Sequence, residues 1–491
     1  MDSPLVGLIV YLILIAGVAV WTWGMNKTKE EFILGGRKLG AWVIAFSERT
    51  AAESSWLLLG LSGALYAVGM VEIWTVIGCV SGIVFYWFVI ARKLRVISET
   101  YGAITLPEYF FQFCGPYGQA VRVISMLIIA FFFSFYVSAQ FLGAGKVLEV
   151  TFGLDTSIGM PLAALIVVLY TMMGGFTAVC FTDVVQAVLM IITLVVLPVV
   201  GFILISSKGL DIGAAMAATG NTASLTGGKV GWAGSAAIIG GLSWGLGYMG
   251  QPHLVTKFMA INSPDAIKTG RTVALVWTVL AYLGAACIGV VGITLVHYQI
   301  VPSAGLVGET ADPERILPVL ASFLFPAWMA GILIAGAVAA MMSTADSQLL
   351  IATSTIVEDF YSRALGKKIS QKALVAMSRI VTILVGLAAF GLALVSDDLI
   401  YDVVSLAWAG LGSSFGPALV LSLHWKRMNG VGVVASMLVG AIVTIVWKWT
   451  PGFDEFLSVR FTSFAFATAA AVIGSLLSVP REPHASEKPA F

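Results

Sequence analysis

Three carboxylates lie inside or at the edge of long apolar stretches of this chain: Glu53, Asp183 and Asp346. A carboxylate in such surroundings is costly unless it is paired with a cation, hydrated, or coordinated to an ion. Hydroxyl groups come close to one of them, since Ser343 and Thr344 shortly precede Asp346. Carboxylate, hydroxyl and backbone oxygens suit a hard monovalent cation, and a carboxylate can also take up a proton. The residues therefore predict ion sites within a membrane-embedded protein.

The composition fixes the class of protein. Of 491 residues, 59% are hydrophobic and only 11% are charged, against roughly 25% charged in an ordinary soluble domain. This excludes a soluble core and predicts a multi-pass membrane protein surrounded by lipid. The net charge of +1 and the scattered basic residues argue against nucleic-acid binding. No obligatory protein partner is indicated.

The sequence does not indicate an enzyme. The four cysteines, Cys79, Cys114, Cys180 and Cys287, show no metal-binding spacing, and the four histidines form no HExxH pattern. No nucleophile lies with a base in a recognisable catalytic pattern.

Apolar windows of membrane-spanning length predict an all-α protein with about 13 transmembrane helices. Their centres lie near Ile13, Leu57, Val80, Phe132, Leu165, Thr193, Leu242, Val279, Ile334, Leu384, Ala409, Leu438 and Ala469.

The distribution of basic residues predicts the orientation. Loops on one side hold 20 of the 27 lysines and arginines, among them the segment 257–271. Because basic loops face the cytoplasm, we expect an external N-terminus and a cytoplasmic C-terminus, in the cytoplasmic membrane.

Two of these spans carry interruptions, at residues 47–55 in the second and 240–252 in the seventh. Paired interruptions five spans apart are typical of two inverted five-helix repeats, whose broken helices expose backbone groups at mid-membrane. The expected division is residues 1–38 for a first extra helix and loop, 39–206 for the first repeat, 207–232 for an external loop, 233–425 for the second repeat, 426–480 for two further helices, and 481–491 for a cytoplasmic tail.

An ordered series of motifs resembles the sodium/solute symporter family over nearly the whole chain. The matching segments are residues 32–37, 54–63, 105–109, 170–183, 244–253, 340–347, 358–361, 407–410 and 415–417. The resemblance implies a LeuT-type core of five plus five helices, with one extra helix before it and two after it. It also implies alternating access driven by an inward sodium gradient.

The resemblance carries site residues over to this chain. The family's common sodium site matches the backbone of Thr50 and Glu53, together with Ala340, Ser343 and Thr344. A possible second site, for a cation or a proton, comprises Asp183, Asp346 and Ser347. Asp183 matches a family ligand, whereas Asp346 departs from the family because it stands where members with an extra sodium site have a hydroxyl residue. Sodium is therefore the expected co-transported ion, and proton coupling stays open.

Proline carriers of the family resemble this chain in the region where solute binds, which implies uptake of a small amino acid, proline first. Aromatic walls would bury the pyrrolidine ring, and helix-end amide groups would receive the carboxylate. The candidate solute residues are Ser54, Ser55, Trp56, Tyr136, Trp244, Tyr248 and Pro252. A monocarboxylate, a vitamin acid or a sugar is the alternative cargo, and a transporter-like sensor is a further alternative.

The chain departs from those proline carriers in the first core helix. Where they have an aspartate this chain has Ala52, and Glu53 follows one position later, which turns its side chain by about 100° on a helix. Arg49 lies four residues before Glu53, so the two side chains can pair if the segment is helical. If the segment is unwound, Arg49 can instead receive a solute carboxylate.

Overall fold

A computed structural model describes residues 3–22, 25, 28–173, 175–220, 223–303, 305–308, 311–367, 370–396 and 398–479. The predicted tail 481–491 lies outside the described residues. Within them the chain is helical, and its only β-type contact is an isolated bridge between Leu39 and Ile261. The helices are α1 (Leu5–Thr22), α2 (Lys29–Leu34), α3 (Ala41–Ser55), α4 (Ser62–Val68), α5 (Ile73–Val89), α6 (Ala91–Thr100), α7 (Leu106–Cys114), α8 (Gly118–Phe152), α9 (Thr156–Met173), α10 (Phe176–Ser207), α11 (Ile212–Ala218), α12 (Gly231–Leu242), α13 (Trp244–Gly247), α14 (Pro252–Ala260), α15 (Ala266–His297), α16 (Ile316–Leu324), α17 (Ala327–Ser354), α18 (Gln371–Leu394), α19 (Ile400–His424), α20 (Gly430–Trp449), α21 (Phe453–Phe456) and α22 (Val459–Leu477).

Side-chain caps define where several of these helices begin. Thr28 and Glu31 form a reciprocal capping box at the start of α2. Thr105 accepts the Glu108 N–H at the start of α7. These side chains satisfy backbone N–H groups that have no partner within the helix.

The long apolar helices account for the predicted spans. Ten helical segments within the described residues are long and apolar enough to cross a membrane. Two predicted spans, centred near Leu57 and Val80, share one continuous segment of 49 residues. The span near Leu165 is a shorter apolar helix, and the span near Leu242 is divided among α12, α13 and α14. The multi-pass membrane class is confirmed, and the count of thirteen stays a prediction.

The centre of the molecule is formed by α3, which packs against α10, α15 and α17. A second group of contacts joins α19 to α8 and to the segment 248–250 that follows α13. The helix α17 is buried along most of its length, as expected for a helix enclosed by other helices rather than by lipid. The interrupted segments of the chain therefore lie in the interior.

Glycine allows the broken segment around α13 to approach α5 closely. A Cβ atom added at Gly82 would lie 2.2 Å from the carbonyl oxygen of Gly245, and one added at Gly245 would lie 2.2 Å from that of Gly78. No side chain fits there without moving backbone. Contacts between small residues of this kind hold membrane helices together.

We expect Gly82→Ala to lower the stability of the folded protein, because the new methyl group must displace backbone. Overpacking costs typically about 1–3 kcal/mol. The matched control is Gly17→Ala in α1, where an added Cβ meets nothing within 4 Å. The measurement is the thermal unfolding midpoint in detergent. Equal midpoints for the two variants would contradict this account of the packing.

Candidate functional site

The helix α3 is interrupted at its C-terminal end, inside the predicted segment 47–55. Ser54 has φ 30° and ψ −169°, a conformation outside the helical region, and a positive φ is unfavourable for a residue with a Cβ. Two side chains bind the backbone N–H groups that follow: Ser54 Oγ accepts from Trp56 at 3.2 Å, and Gln140 Oε1 accepts from Ser55 at 3.0 Å. Specific side-chain hydrogen bonds therefore stabilise the break in the protein interior.

Two hydroxyl groups of α17 face the backbone carbonyls just before this break. Ser343 Oγ donates to the Thr50 carbonyl oxygen at 3.0 Å, and Thr344 Oγ1 donates to that of Ala51 at 3.0 Å. Ser343 Oγ also lies 3.2 Å from the Ala340 carbonyl oxygen. All of these residues are completely buried. We name the group formed by these five residues the hydroxyl–carbonyl cluster.

Four of the five predicted sodium residues thus come together, and Glu53 occupies a different position. Its backbone carbonyl accepts the Trp56 N–H, and its carboxylate binds Arg49. Ala51 supplies a carbonyl that the sequence reasoning missed. No side-chain signal marks such a residue, because only its backbone takes part.

Arg49 lies between two acidic side chains. Its Nη1 donates to Glu53 Oε1 at 2.9 Å, and its Nε donates to Glu48 Oε2 at 2.7 Å. Nη2 also contacts Glu48, and it donates to the Tyr86 hydroxyl at 2.5 Å. The sequence allowed Arg49 either to pair with Glu53 or to receive a solute carboxylate. In the structure Arg49 pairs with Glu53. Glu48 was not singled out from the sequence, although it adjoins Arg49.

The aspartate of α10 lies beside a lysine that the sequence did not place here. Lys257 Nζ is 3.4 Å from Asp183 Oδ2 and 3.3 Å from Ser347 Oγ. Ser47 donates to the same Asp183 oxygen at 2.5 Å. The expectation that Lys257 lies in a cytoplasmic loop is wrong: it belongs to α14 and is 1% exposed. The orientation rule counts lysines and arginines as loop residues. It cannot identify a lysine that is buried because it pairs with an acidic residue far away in the sequence.

Aromatic side chains pack against each other beside the break, fully buried. The rings of Trp56 and Trp244 stack with centroids 4.5 Å apart, and Trp408 lies edge-on to Tyr248 at 4.7 Å. Tyr136 also contacts Trp408 edge-on, at 6.2 Å. We name this group the aromatic chamber. Its predicted members Trp56, Tyr136, Trp244 and Tyr248 come together.

Tyr282 and Tyr401 complete the chamber, and together with Trp408 they are its three members that were not predicted. The Tyr282 hydroxyl is 2.5 Å from that of Tyr248, and Trp244 Nε1 donates to the Tyr401 hydroxyl at 3.0 Å. Trp408 donates from its indole to the Trp244 carbonyl at 2.9 Å. Sequence reasoning missed all three, since aromatic residues are common in membrane spans and nothing in the sequence marks which ones face inward.

The second interruption borders the same chamber. Gln251, with ψ 111°, separates the segment 248–250 from α14, and Pro252 is the first residue of that helix, where it needs no N–H partner. Among the described residues, Gln251 Oε1 and the Tyr136 hydroxyl have no hydrogen-bond partner. A buried polar atom without a partner is costly, and both ring nitrogens of His253, which contacts the Tyr136 ring, are in the same state among the described residues.

Long apolar helices with polar, buried interruptions define a multi-pass membrane transporter. The profile of the sodium:solute symporter family matches residues 32–440 of this chain. The chain belongs to the sodium:solute symporter family. It is therefore a sodium-coupled symporter.

Curated relatives match most of the chain. The sodium/proline symporter of Escherichia coli (strain K12) is 37% identical over 471 residues, covering 95% of this chain and 91% of that protein. The osmoregulated proline transporter OpuE of Bacillus subtilis (strain 168) is 35% identical over 439 residues, covering 89% of this chain and 87% of that protein.

Solved structures share the fold at low identity. A Na+-coupled sialic acid symporter in a substrate-bound outward-open state superposes with a TM-score of 0.77 at 20% identity, covering 97% of this chain and 98% of that chain. MhsT in complex with L-phenylalanine gives a TM-score of 0.53 at 11% identity, covering 88% of this chain and 98% of that chain.

We expect Arg49→Met to destabilise the protein, because it leaves Glu48 and Glu53 buried without their shared cation. Breaking a buried ion pair costs about 3–5 kcal/mol. The thermal unfolding midpoint in detergent is the measurement. The triple variant Arg49→Met, Glu48→Gln, Glu53→Gln should recover much of the loss, since it removes the unpaired charges. A single variant as stable as the wild type would contradict the ion-pair account.

Proposed function

We propose that this symporter imports a small amino acid, proline, together with sodium by alternating access. The named proline carriers among its relatives, matched over most of both chains, support this cargo. The basic-residue distribution supports an external N-terminus and a cytoplasmic C-terminus in the cytoplasmic membrane. The two interior breaks, together with the shared fold of MhsT, support inverted repeats over residues 39–206 and 233–425.

The hydroxyl–carbonyl cluster is the observation that carries the proposal. Thr50, Ala51 and Ala340 contribute carbonyl oxygens, while Ser343 and Thr344 contribute hydroxyl oxygens from the facing helix. These neutral oxygens are ligands that a hard cation prefers. Sodium binds here when the two hydroxyl protons rotate away from the carbonyls, so that all the oxygens point their lone pairs at the ion.

The aromatic chamber is the proposed solute site. Its stacked indoles, Trp56 and Trp244, would part to take an apolar ring between them, a geometry that suits pyrrolidine. The amide groups of Ser55 and Trp56 follow the break and would receive a carboxylate after exchange with Gln140 and with the Ser54 hydroxyl. Aromatic side chains combined with a few polar groups suit a small zwitterion.

Coupling follows from the position of the break. The helix α3 contributes carbonyls to the hydroxyl–carbonyl cluster just before Ser54, and the segment that follows α3 contributes Trp56 to the aromatic chamber. Sodium bound at the cluster would fix the orientation of the segment 54–56, and this orientation sets the shape of the chamber. Each ligand therefore favours the conformation that binds the other.

Reconstituted uptake with separately imposed gradients tests the proposed function. We expect labelled proline to accumulate in proteoliposomes when an inward sodium gradient is imposed, and not when only a proton gradient is imposed. Competition by unlabelled proline, a monocarboxylate, a vitamin acid and a sugar identifies the cargo. Uptake driven only by the proton gradient, or inhibited by another solute but not by proline, would contradict the proposal.

Removing a hydroxyl of the hydroxyl–carbonyl cluster should weaken sodium binding. We expect Ser343→Ala or Thr344→Ala to raise the sodium concentration for half-maximal uptake about tenfold or more, a loss of about 1.4 kcal/mol. The matched control is Thr353→Ala on the same helix, whose hydroxyl contacts Thr382 away from the cluster. Unchanged sodium dependence in both cluster variants would contradict the assignment.

A further inference from the structure

The ammonium group of Lys257 occupies the position predicted for a second cation. Its Nζ lies 3.4 Å from Asp183 Oδ2, 3.3 Å from Ser347 Oγ and 3.6 Å from Cys180 Sγ. The Phe176 ring covers it, with the centroid at 4.8 Å. The Lys257 side chain is 2% exposed and that of Asp183 is fully buried. This is an enclosed site and not a surface ion pair.

The acidic groups around this ammonium outnumber it. Asp183 Oδ2 is bound by Lys257 and Ser47, while Asp183 Oδ1 has no hydrogen-bond partner among the described residues. Neither carboxylate oxygen of Asp346 has a hydrogen-bond partner within the residues that the structure describes. Ser347, the residue that follows Asp346, binds the same ammonium, so Asp346 adjoins this site. Asp183 and Asp346 therefore both lie near the Lys257 ammonium.

An ammonium group and a sodium ion are interchangeable in such surroundings. Each is a compact monovalent cation, and both bind carboxylate and hydroxyl oxygens. The ammonium differs in being covalently attached to α14, so it cannot leave with the cargo. A buried carboxylate that loses its cation carries a large free-energy penalty, and another cation from solution can relieve this penalty.

We propose that Lys257 is the resident cation of the pocket formed by Asp183, Asp346 and Ser347, and that it excludes a second sodium ion from it. The inference depends on the proposed function, which assigns the transported sodium to the hydroxyl–carbonyl cluster. Lys257 is a positioning residue in this account: it sets the number of ions bound without touching the solute. One sodium ion then binds per protein.

Equilibrium binding of ²²Na⁺ to the purified full-length protein in detergent tests this inference. We expect one saturable ion in the wild type. Lys257→Met keeps the length of the side chain and removes its charge, so we expect two ions and a Hill coefficient rising above one. Lys257→Arg restores a cation and should return the count to one. In Lys257→Met, Asp183→Asn, Asp346→Asn both carboxylates of the pocket are removed as well, and we again expect one; two ions in this variant would contradict the proposal.

Three further results would overturn the inference: two ions in the wild type, one ion in Lys257→Met, or two ions in Lys257→Arg. If the methionine variant does not fold, Lys257→Gln replaces it, with two ions expected and one ion contradicting the proposal. A different result of the same experiment would contradict the proposed function. A single wild-type ion whose affinity is the same in Ser343→Ala and Thr344→Ala would refute the assignment of the cluster, whereas an altered count at Lys257 concerns only this pocket.

Discussion

The contact between α17 hydroxyls and α3 carbonyls is the interaction on which the rest of the structure depends. Ser343 and Thr344 bind the carbonyl oxygens of Thr50 and Ala51 immediately before the chain leaves the helical conformation at Ser54. In a continuous helix those carbonyls would be committed to N–H groups one turn later. The break turns the Ser55 N–H to Gln140 instead of to the Ala51 carbonyl. The interior offers no bulk water, so that carbonyl needs a partner from a side chain or from an ion.

Charge neutralisation is the second constraint on this interior. Glu48 and Glu53 share Arg49, and Asp183 is paired with Lys257. Each group contains two carboxyl groups and one basic side chain, since Asp346 adjoins the second through Ser347. Fixed basic side chains thus remove most of the penalty for burying carboxylates without depending on transported ions. Under the proposed function, the electrically neutral oxygens of the hydroxyl–carbonyl cluster then bind the cation that enters and leaves.

The features that the sequence predicted correctly were local ones. Apolar runs indicated the membrane class, the polar run 47–55 indicated an interruption, and the spacing of Arg49 and Glu53 permitted the ion pair that forms. The partner of Asp183 could not be predicted, because Lys257 is 74 residues away. Hydropathy places a span in the membrane, but it does not fix the rotation of that helix about its own axis. For that reason the sequence did not indicate that Tyr282 and Trp408 belong to the aromatic chamber.

The most direct test is a crystal structure of the protein grown with thallium(I), a monovalent ion whose anomalous scattering marks its position. The account predicts an anomalous peak within bonding distance of the Ser343 and Thr344 hydroxyls and the Thr50 carbonyl, with α3 still broken at Ser54. A peak elsewhere with none at this cluster, or a continuous helix through residues 47–56, would contradict it.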